Sequence, residues 1–178
     1  MEANEIIKVL NDNREGIIEA LKDADREAYK DNRFEWTVAV FPDGSMETRW
    51  SFPNDTAVYM NDSAIITLGN FNHQCFSVMW DGYNDSRDLF RDLINECSKE
   101  ELKAYQQFLE DYQQKKREEY EDNDDYVPDD WDSCVWFKEN SPAWERLEDK
   151  TIEWFIDNYP YDYDDIIDRE IEMLRSDE

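Results

Sequence analysis

Residues 34–52 have the sequence FEWTVAVFPDGSMETRWSF, in which two alternating segments flank a short stretch of turn-forming residues. Aromatic and β-branched residues dominate Phe34–Phe41, and the alternation resumes from Met46 to Phe52. Period-two alternation on both sides of a Pro-Asp-Gly-Ser turn is the pattern of a β-hairpin. We therefore predict a hairpin at this point of the chain and build the fold outward from it.

Two shorter apolar segments follow the hairpin. Ala64–Leu68 and Gln74–Trp80 are predicted as strands, and the residues between them, Gly69–Asn72, are predicted to form a turn. With the hairpin they give a small antiparallel sheet of three to four strands over residues of about 34–80, with helix packed on one face.

A helical pattern precedes the sheet. Apolar residues recur at helical spacing over residues 3–30, and Asn11, Asn13 and Gly16 interrupt them. The pattern fits either one kinked helix or a short helix followed by a second that begins near Asn13.

Two helices are predicted directly after the sheet. Asp85 or Ser86 can cap a helix that runs through Cys97, and Ser98 with Glu101 forms a capping box at the start of the next, which continues into residues 118–119. The predicted buried stripe of this second helix consists of Leu102, Tyr105, Leu109 and Tyr112.

Two more helices complete the chain. Ser141 and Pro142 open one that ends near Asn158, and the last runs from about Asp162 to Arg175. Their predicted inward-facing residues are Trp144, Leu147, Thr151, Trp154 and Phe155 in the first, and Ile166, Ile167, Ile171 and Leu174 in the second. The apolar segment from residue 131 to residue 137 is left without an assigned type. We predict an α+β fold in a single domain over residues 1–178, with an N-terminal helix and sheet (1–81) and a helical acidic part (82–178).

The charge of the chain is large and uneven. Its 46 acidic and 19 basic residues give a net charge of −27, and residues 118–178 alone hold 23 acids and five bases. The densest stretch, residues 118–132 (EEYEDNDDYVPDDWD), has nine carboxylates and no base. Nucleic acid and anionic membranes would be repelled as direct ligands. The basic cluster at residues 115–117 just before this stretch is expected to neutralise it locally.

Aromatic residues interleave with these acids at Tyr120, Tyr126 and Trp131. A purely disordered acidic segment carries few aromatics, so we expect an acidic surface on a folded scaffold. The charge could instead reflect adaptation to salt or an ordinary solvated face. A salt-adapted protein, however, usually spreads acid over its whole surface, and a solvated helix normally carries both signs of charge.

The last predicted helix extends this acidic surface. Asp164, Asp168 and Glu172 step by four residues, which places carboxylates along one helix face. Neighbours at this spacing have Cβ atoms about 5–6 Å apart, close to the repeat of phosphates along a nucleic-acid strand. Such a face can therefore imitate a phosphate backbone.

The sequence offers little for catalysis. His73 is the single histidine and falls in a predicted turn, so neither a zinc site nor a histidine-activated nucleophile is expected. The acidic run departs from the calcium-loop pattern, since Val127 stands where glycine is required. Pro128 and Asp129 with Glu148–Lys150 superficially resemble a metal-dependent nuclease pattern, but that family places the second element on a strand. We expect no catalytic residue, metal or cofactor.

The chain is expected to be cytoplasmic. No apolar run reaches the length of a membrane span, and the N-terminus lacks the pattern of a signal peptide. Cys75, Cys97 and Cys134 are odd in number and widely spaced, as expected of reduced thiols.

In charge, size and the interleaving of aromatic and acidic residues, mainly over residues 118–178, the chain resembles a class of proteins. These are the phage and mobile-element inhibitors that mimic nucleic acid, namely the anti-CRISPR and anti-restriction proteins. The resemblance implies a non-enzymatic inhibitor that occupies the DNA-binding groove of a bacterial defence nuclease, with a CRISPR effector or restriction nuclease as its basic partner. Alternatives are an immunity protein that neutralises a basic nuclease toxin and an enzyme that uses a carboxylate-bound metal. The oligomeric state stays open.

We expect the partner to contact carboxylates and exposed aromatics of this region. The predicted partner-binding residues are Glu119, Glu121, Asp122, Asp124, Asp125, Tyr126, Asp129, Asp130, Trp131, Asp132, Tyr161, Asp162, Tyr163, Asp164, Asp165, Asp168 and Glu172.

Overall fold

The structure, a computed structural model, describes residues 1–31, 35–51, 63–72, 77–158 and 162–177. The helices are α1 (Ala3–Asp12), α2 (Arg14–Asp31), α3 (Ser86–Glu96), α4 (Lys99–Tyr120), α5 (Asp130–Asn140), α6 (Pro142–Asn158) and α7 (Tyr163–Ser176), and the strands are β1 (Glu35–Val40), β2 (Met46–Ser51) and β3 (Ile66–Asn72). The predicted α+β fold with a small antiparallel sheet is confirmed. Tyr161 and residues 73–76, which include His73 and Cys75, lie outside the described residues.

The described residues group into two compact units. The first comprises Met1–Ser77 with Glu153–Glu178, and the second comprises Val78–Ile152. Helix α7 packs with α1, α2 and β3 in the first unit, although the predicted division at residue 81 assigned it to the other part. That all 178 residues form one domain stays a prediction.

The predicted hairpin forms with β1 at the centre of a sheet of order β2-β1-β3. Both neighbours of β1 are antiparallel, with Val38 opposite Thr48 on one side and Leu68 on the other. The amide of Phe41 donates to the carbonyl of Ser45 at 2.9 Å to close the turn. Trp36, Val38 and Val40 are fully buried. Ala39, on the opposite face of β1, is fully buried as well, so the central strand is covered on both faces at this position.

The predicted turn at residues 69–72 is wrong, because strand β3 continues through it. Trp36 pairs with Phe71 and Val38 pairs with Leu68, so the register shifts between these pairs and two residues of β3 oppose Thr37. Gly69 has a φ of +86° at this irregularity. A glycine with positive φ is characteristic of a β-bulge as well as of a turn. The pairing with β1, which the local sequence does not reveal, decides between them.

The predicted strand over Gln74–Trp80 is also wrong for residues 77–80, the part of it that the structure describes. Ser77 has no regular structure, and residues 78–80 form a turn. Val78 and Met79 are nevertheless fully buried. A short apolar run indicates burial, and its periodicity alone cannot identify a strand.

The helix boundaries follow their capping residues closely. Of the two interpretations of the N-terminal pattern, the two-helix one is confirmed, with Asn13 as the C-cap of α1. Asp85 caps α3 by accepting a hydrogen bond from the amide of Arg87, and the capping box of Ser98 and Glu101 begins α4. Side chains that satisfy the first backbone amides of a helix are visible in a sequence, so these boundaries were predictable.

The predicted inward faces of two helices need correction. In α4, Leu102 is exposed and Tyr105 is the one buried residue of the predicted stripe, because the face directed at α5 includes Phe108 instead. In α6, Trp154 is 56% exposed while Phe155 packs on Tyr29 with ring centroids 5.9 Å apart. Helical spacing identifies a candidate stripe, but the position of the neighbouring element selects its centre.

A buried hydrogen bond links α2 to the start of α7 in the first unit. The hydroxyl of Tyr163 donates to Oδ2 of Asp25 at 2.6 Å, and the two residues are only 5% and 0% exposed. The sequence-based expectation that Tyr163 is an exposed aromatic is therefore wrong. Its ring lies on the inward face of α7 together with the buried side chains of Ile167 and Ile171. Its hydroxyl supplies one hydrogen bond to the buried carboxylate of Asp25.

We expect the substitution Tyr163→Phe to lower the free energy of unfolding by about 1–3 kcal/mol, because it removes a hydrogen bond from a buried carboxylate. Urea denaturation followed by circular dichroism measures this. Tyr126→Phe is the matched control, since its hydroxyl also bonds an aspartate but at an exposed position, and it should change stability by only about 0.5 kcal/mol. Equal effects of the two substitutions would contradict the assignment.

Burial and the hydrogen bond to Asp25 raise the pKa of Tyr163 well above that of an exposed tyrosine. The folded protein therefore retains the phenol proton at a pH at which the unfolded chain, with a tyrosine pKa of about 10, begins to lose it. This contribution to stability is complete below pH ~10 and is lost as the pH rises further. We therefore expect the free energy of unfolding to fall less steeply with rising pH above pH ~10 in Tyr163→Phe than in the parent protein. Equal slopes of the two curves of free energy against pH would refute this.

Candidate functional site

The predicted partner-binding residues fall in both units. Residues 119–132 belong to the second unit, and Asp162, Tyr163, Asp164, Asp165, Asp168 and Glu172 belong to the first. We call residues 118–132 the acidic segment and the six residues of the first unit the α7 group. Each is described within its own unit.

The acidic segment turns sharply out of α4. The helix ends at Tyr120, Glu121 adopts a left-handed conformation with a φ of 53°, and residues 122–129 are irregular until α5 begins. The rings of Tyr120 and Tyr126 stack with centroids 5.5 Å apart. The hydroxyl of Tyr126 donates to the two carboxylate oxygens of Asp122 at 2.8 and 2.6 Å, and this bond raises the pKa of Tyr126 to about 12. The two tyrosines therefore stabilise the conformation of this turn.

The basic cluster before the segment folds back onto it. Arg117 Nη2 donates to Oδ1 of Asp125 at 2.9 Å, and Gln113 Nε2 donates to the same oxygen at 2.7 Å. Lys116 pairs with Glu119 at 3.1 Å. The expected local neutralisation is confirmed for Lys116 and Arg117, although it reaches only Glu119 and Asp125.

Asp129 has a structural role as the N-cap of α5. Its carboxylate accepts a hydrogen bond from the amide of Asp132 at 2.7 Å. The sequence did not predict this helix, because residues 131–137 lack a clear amphipathic period. The signal that could have located it is the Asp129 cap followed by acids at the first turn, where they complement the helix dipole.

Three exposed carboxylates of the acidic segment have neither a cation nor a hydrogen-bond donor beside them among the described residues. Glu121, Asp124 and Asp132 make no side-chain hydrogen bond or ion pair within the part of the chain that the structure describes. Placing like charges in such proximity without cations is destabilising. These side chains are therefore available for contacts with a partner.

Large apolar side chains are exposed beside these carboxylates. Val127 is 73% exposed and Trp131 is 53% exposed, and Tyr120 is exposed at the end of α4. The ring of Trp131 lies on Trp80 with centroids 4.4 Å apart, and Trp80 in turn lies 5.1 Å from Trp144. Clusters of exposed aromatics are typical of protein interfaces. Sequence reasoning named Trp131 but missed Trp80, which lies 51 residues earlier in the chain and supports it.

The α7 group is less exposed to a partner than its spacing suggested. Arg14 donates from Nη1 to Asp164 at 2.8 Å and from Nη2 to Asp168 at 2.5 Å, and the bonds to Asp168 and Asp164 raise the pKa of Arg14. Two of the three carboxylates that step by four along α7 are thus paired internally. Sequence reasoning missed this clamp because Arg14 lies 150 residues away from Asp164.

The remaining members of the α7 group have different environments. Asp162 caps the helix through the amide of Asp164 at 3.1 Å, and Asp165 and Glu172 are exposed. Tyr163 is buried, as described above. The α7 group therefore offers fewer accessible acids than the acidic segment.

The described thiols are poorly suited to nucleophilic chemistry. Burial raises the pKa of Cys97 to about 11 and that of Cys134 to about 12, so both are protonated at neutral pH. Across the described ranges, no group of three or more His, Cys, Asp or Glu side chains could hold a metal ion. No helix in the described part of the chain combines the length and apolar character that crossing a bilayer requires.

Comparison of the chain with protein-family models, with curated proteins and with solved structures found no match.

We expect Arg117→Ala to loosen the acidic segment while leaving the second unit folded. Loss of the bond to Asp125 should speed hydrogen exchange of the amides at residues 122–126 by about two- to fivefold, the range that one exposed ion pair supplies. Hydrogen–deuterium exchange with mass spectrometry measures this. Lys115→Ala, which removes an exposed base without a bond to the segment, is the control and should leave the exchange rates unchanged.

Proposed function

We propose that this protein is a non-enzymatic inhibitor that binds a basic nucleic-acid-binding protein and imitates nucleic acid. The proposed target is a bacterial defence nuclease, a CRISPR effector or a restriction nuclease, and the proposed location is the cytoplasm of the bacterial host. The observation that carries this proposal is an ordered acidic segment whose exposed carboxylates stand beside exposed aromatics.

Charge supports a cationic partner. The carboxylates of Glu121, Asp124 and Asp132 lack internal cations, and residues 118–178 hold 18 of the 27 excess negative charges. A Lys- and Arg-rich groove that normally receives DNA would gain from contacts with such a surface, and the contacts would weaken as salt screens them. Occupation of the groove would then exclude the nucleic acid.

Order supports an interface rather than a solvated tail. The stacked tyrosines, the Arg117 bond and the Asp129 cap fix the positions of the exposed acids before any partner arrives. A preorganised surface loses less conformational entropy on binding than a flexible one. Exposed Trp and Tyr side chains supply the apolar contacts that typically dominate interface energies.

The α7 group enters this proposal in a smaller role. Since Arg14 pairs with Asp164 and Asp168, the accessible acids of that group are Asp165 and Glu172. The acidic segment is therefore the proposed primary contact surface.

The test begins with capture from a bacterial lysate. Immobilised protein is expected to retain a basic nucleic-acid-binding protein at low salt and to release it at high salt, and the released protein, once purified, should lose its binding to duplex DNA when the inhibitor is added. Fluorescence anisotropy of labelled DNA measures this competition. Retention of proteins without affinity for nucleic acid, or undiminished DNA binding, would refute the proposal.

A charge-matched pair of variants locates the surface. The triple variant Glu121→Gln, Asp124→Asn and Asp132→Asn should bind the partner about tenfold more weakly, since three exposed ion pairs contribute about 0.5 kcal/mol each. The control variant removes three exposed charges elsewhere in the second unit, namely those of Glu110, Glu139 and Glu145. Equal affinities of the two variants would exclude the acidic segment as the contact surface.

A further inference from the structure

Trp131 has an unusual position for the largest apolar side chain. It lies in the first turn of α5, and 53% of it is exposed. Within the described part of the chain, Trp80 is the one aromatic ring that contacts it, with the two ring planes inclined by 36°. One side of the indole is therefore supported by Trp80, and about half of the side chain is open to solvent.

The support beneath Trp131 consists of packed aromatic rings. Trp80 is itself held against Trp144 with centroids 5.1 Å apart, and Trp144 is buried. The helix that carries Trp131 is fixed at its start by the bond from the amide of Asp132 to Asp129. An aromatic ring held in this way offers a flat binding surface that needs little ordering when a ligand arrives.

The charge around this ring selects a cation. Asp129, Asp130 and Asp132 lie within two residues of Trp131. The N-terminus of a helix carries a partial positive charge of about half a unit, which would repel a cation. Two of these carboxylates, those of Asp129 and Asp132, are exposed, and their full charges outweigh this partial charge. An exposed indole face next to carboxylates attracts a cation through the ring quadrupole and through ion pairing together.

We infer that the open face of Trp131 is a stacking site for an arginine side chain of the partner, with the exposed carboxylate of Asp132 accepting its guanidinium hydrogens. This inference rests on the proposed function, because it names the chemistry of the basic partner at the acidic segment. Arginine fits better than lysine, since its planar guanidinium is weakly hydrated, stacks on aromatic rings and can donate to a carboxylate while stacked. A compact, strongly hydrated ammonium gains less from the ring.

The test uses two fluorescently labelled peptides, octa-arginine and octa-lysine, titrated with the full-length protein at low salt and followed by fluorescence anisotropy. The arginine peptide should bind about three- to thirtyfold more tightly than the lysine peptide, the range that a cation–π contact supplies. Trp131→Ala should remove this preference and leave the lysine affinity nearly unchanged. Trp131→Phe, which keeps an aromatic ring, should retain part of it.

Trp154→Ala is the matched control, since Trp154 is 56% exposed but belongs to the first unit. It should retain the arginine preference, and circular dichroism verifies that each variant is folded. Equal binding of the two peptides, or an arginine preference that survives Trp131→Ala, would overturn the arginine site but not the proposal of a basic partner. Absence of binding by either peptide would overturn both proposals.

Discussion

The scarcity of cations constrains the whole molecule. With 19 bases for 46 acids, most carboxylates cannot have a cation of their own. Several of the available arginines join segments that are far apart in the sequence. Arg14 holds Asp164 and Asp168, Arg26 bonds Glu153 at 2.6 Å, and in the second unit Arg146 holds Glu101 with two bonds of 2.9 and 2.5 Å. These pairs join α7 and the end of α6 to α2 in the first unit, and α6 to α4 in the second.

Where cations are lacking, other groups order the acids. In the acidic segment, a tyrosine hydroxyl binds Asp122 and a backbone amide binds Asp129, while Arg117 reaches only Asp125. These bonds fix the chain without cancelling the charge of its exposed neighbours. The segment thus remains both ordered and strongly negative, and the proposed imitation of nucleic acid depends on this combination.

Aromatic packing supplies the cohesion of the second unit. Tyr105 stacks on Phe137 with centroids 5.0 Å apart, and Phe108 stacks on Trp136 at 5.2 Å. The hydroxyl of Tyr105 also shares a hydrogen bond of 2.9 Å with Ser133. Large rings bury much apolar area per residue, so a few of them compensate for helices that are otherwise highly charged. One of these large aromatic residues, Trp131, is not buried and lies at the surface of the second unit.

The sequence alone determined the features that depend on near neighbours: the hairpin at residues 34–52, the capping box of Ser98 and the uneven distribution of acid along the chain. These features follow from backbone geometry and caps within a few residues. Only the tertiary structure decided that Gly69 forms a bulge, that Tyr163 is buried on Asp25 and that Arg14 neutralises α7. The physical reason is that each of these outcomes depends on contact with a residue distant in the chain. A local sequence pattern indicates which kinds of contact a residue can make, but it does not identify the residue that the fold places against it.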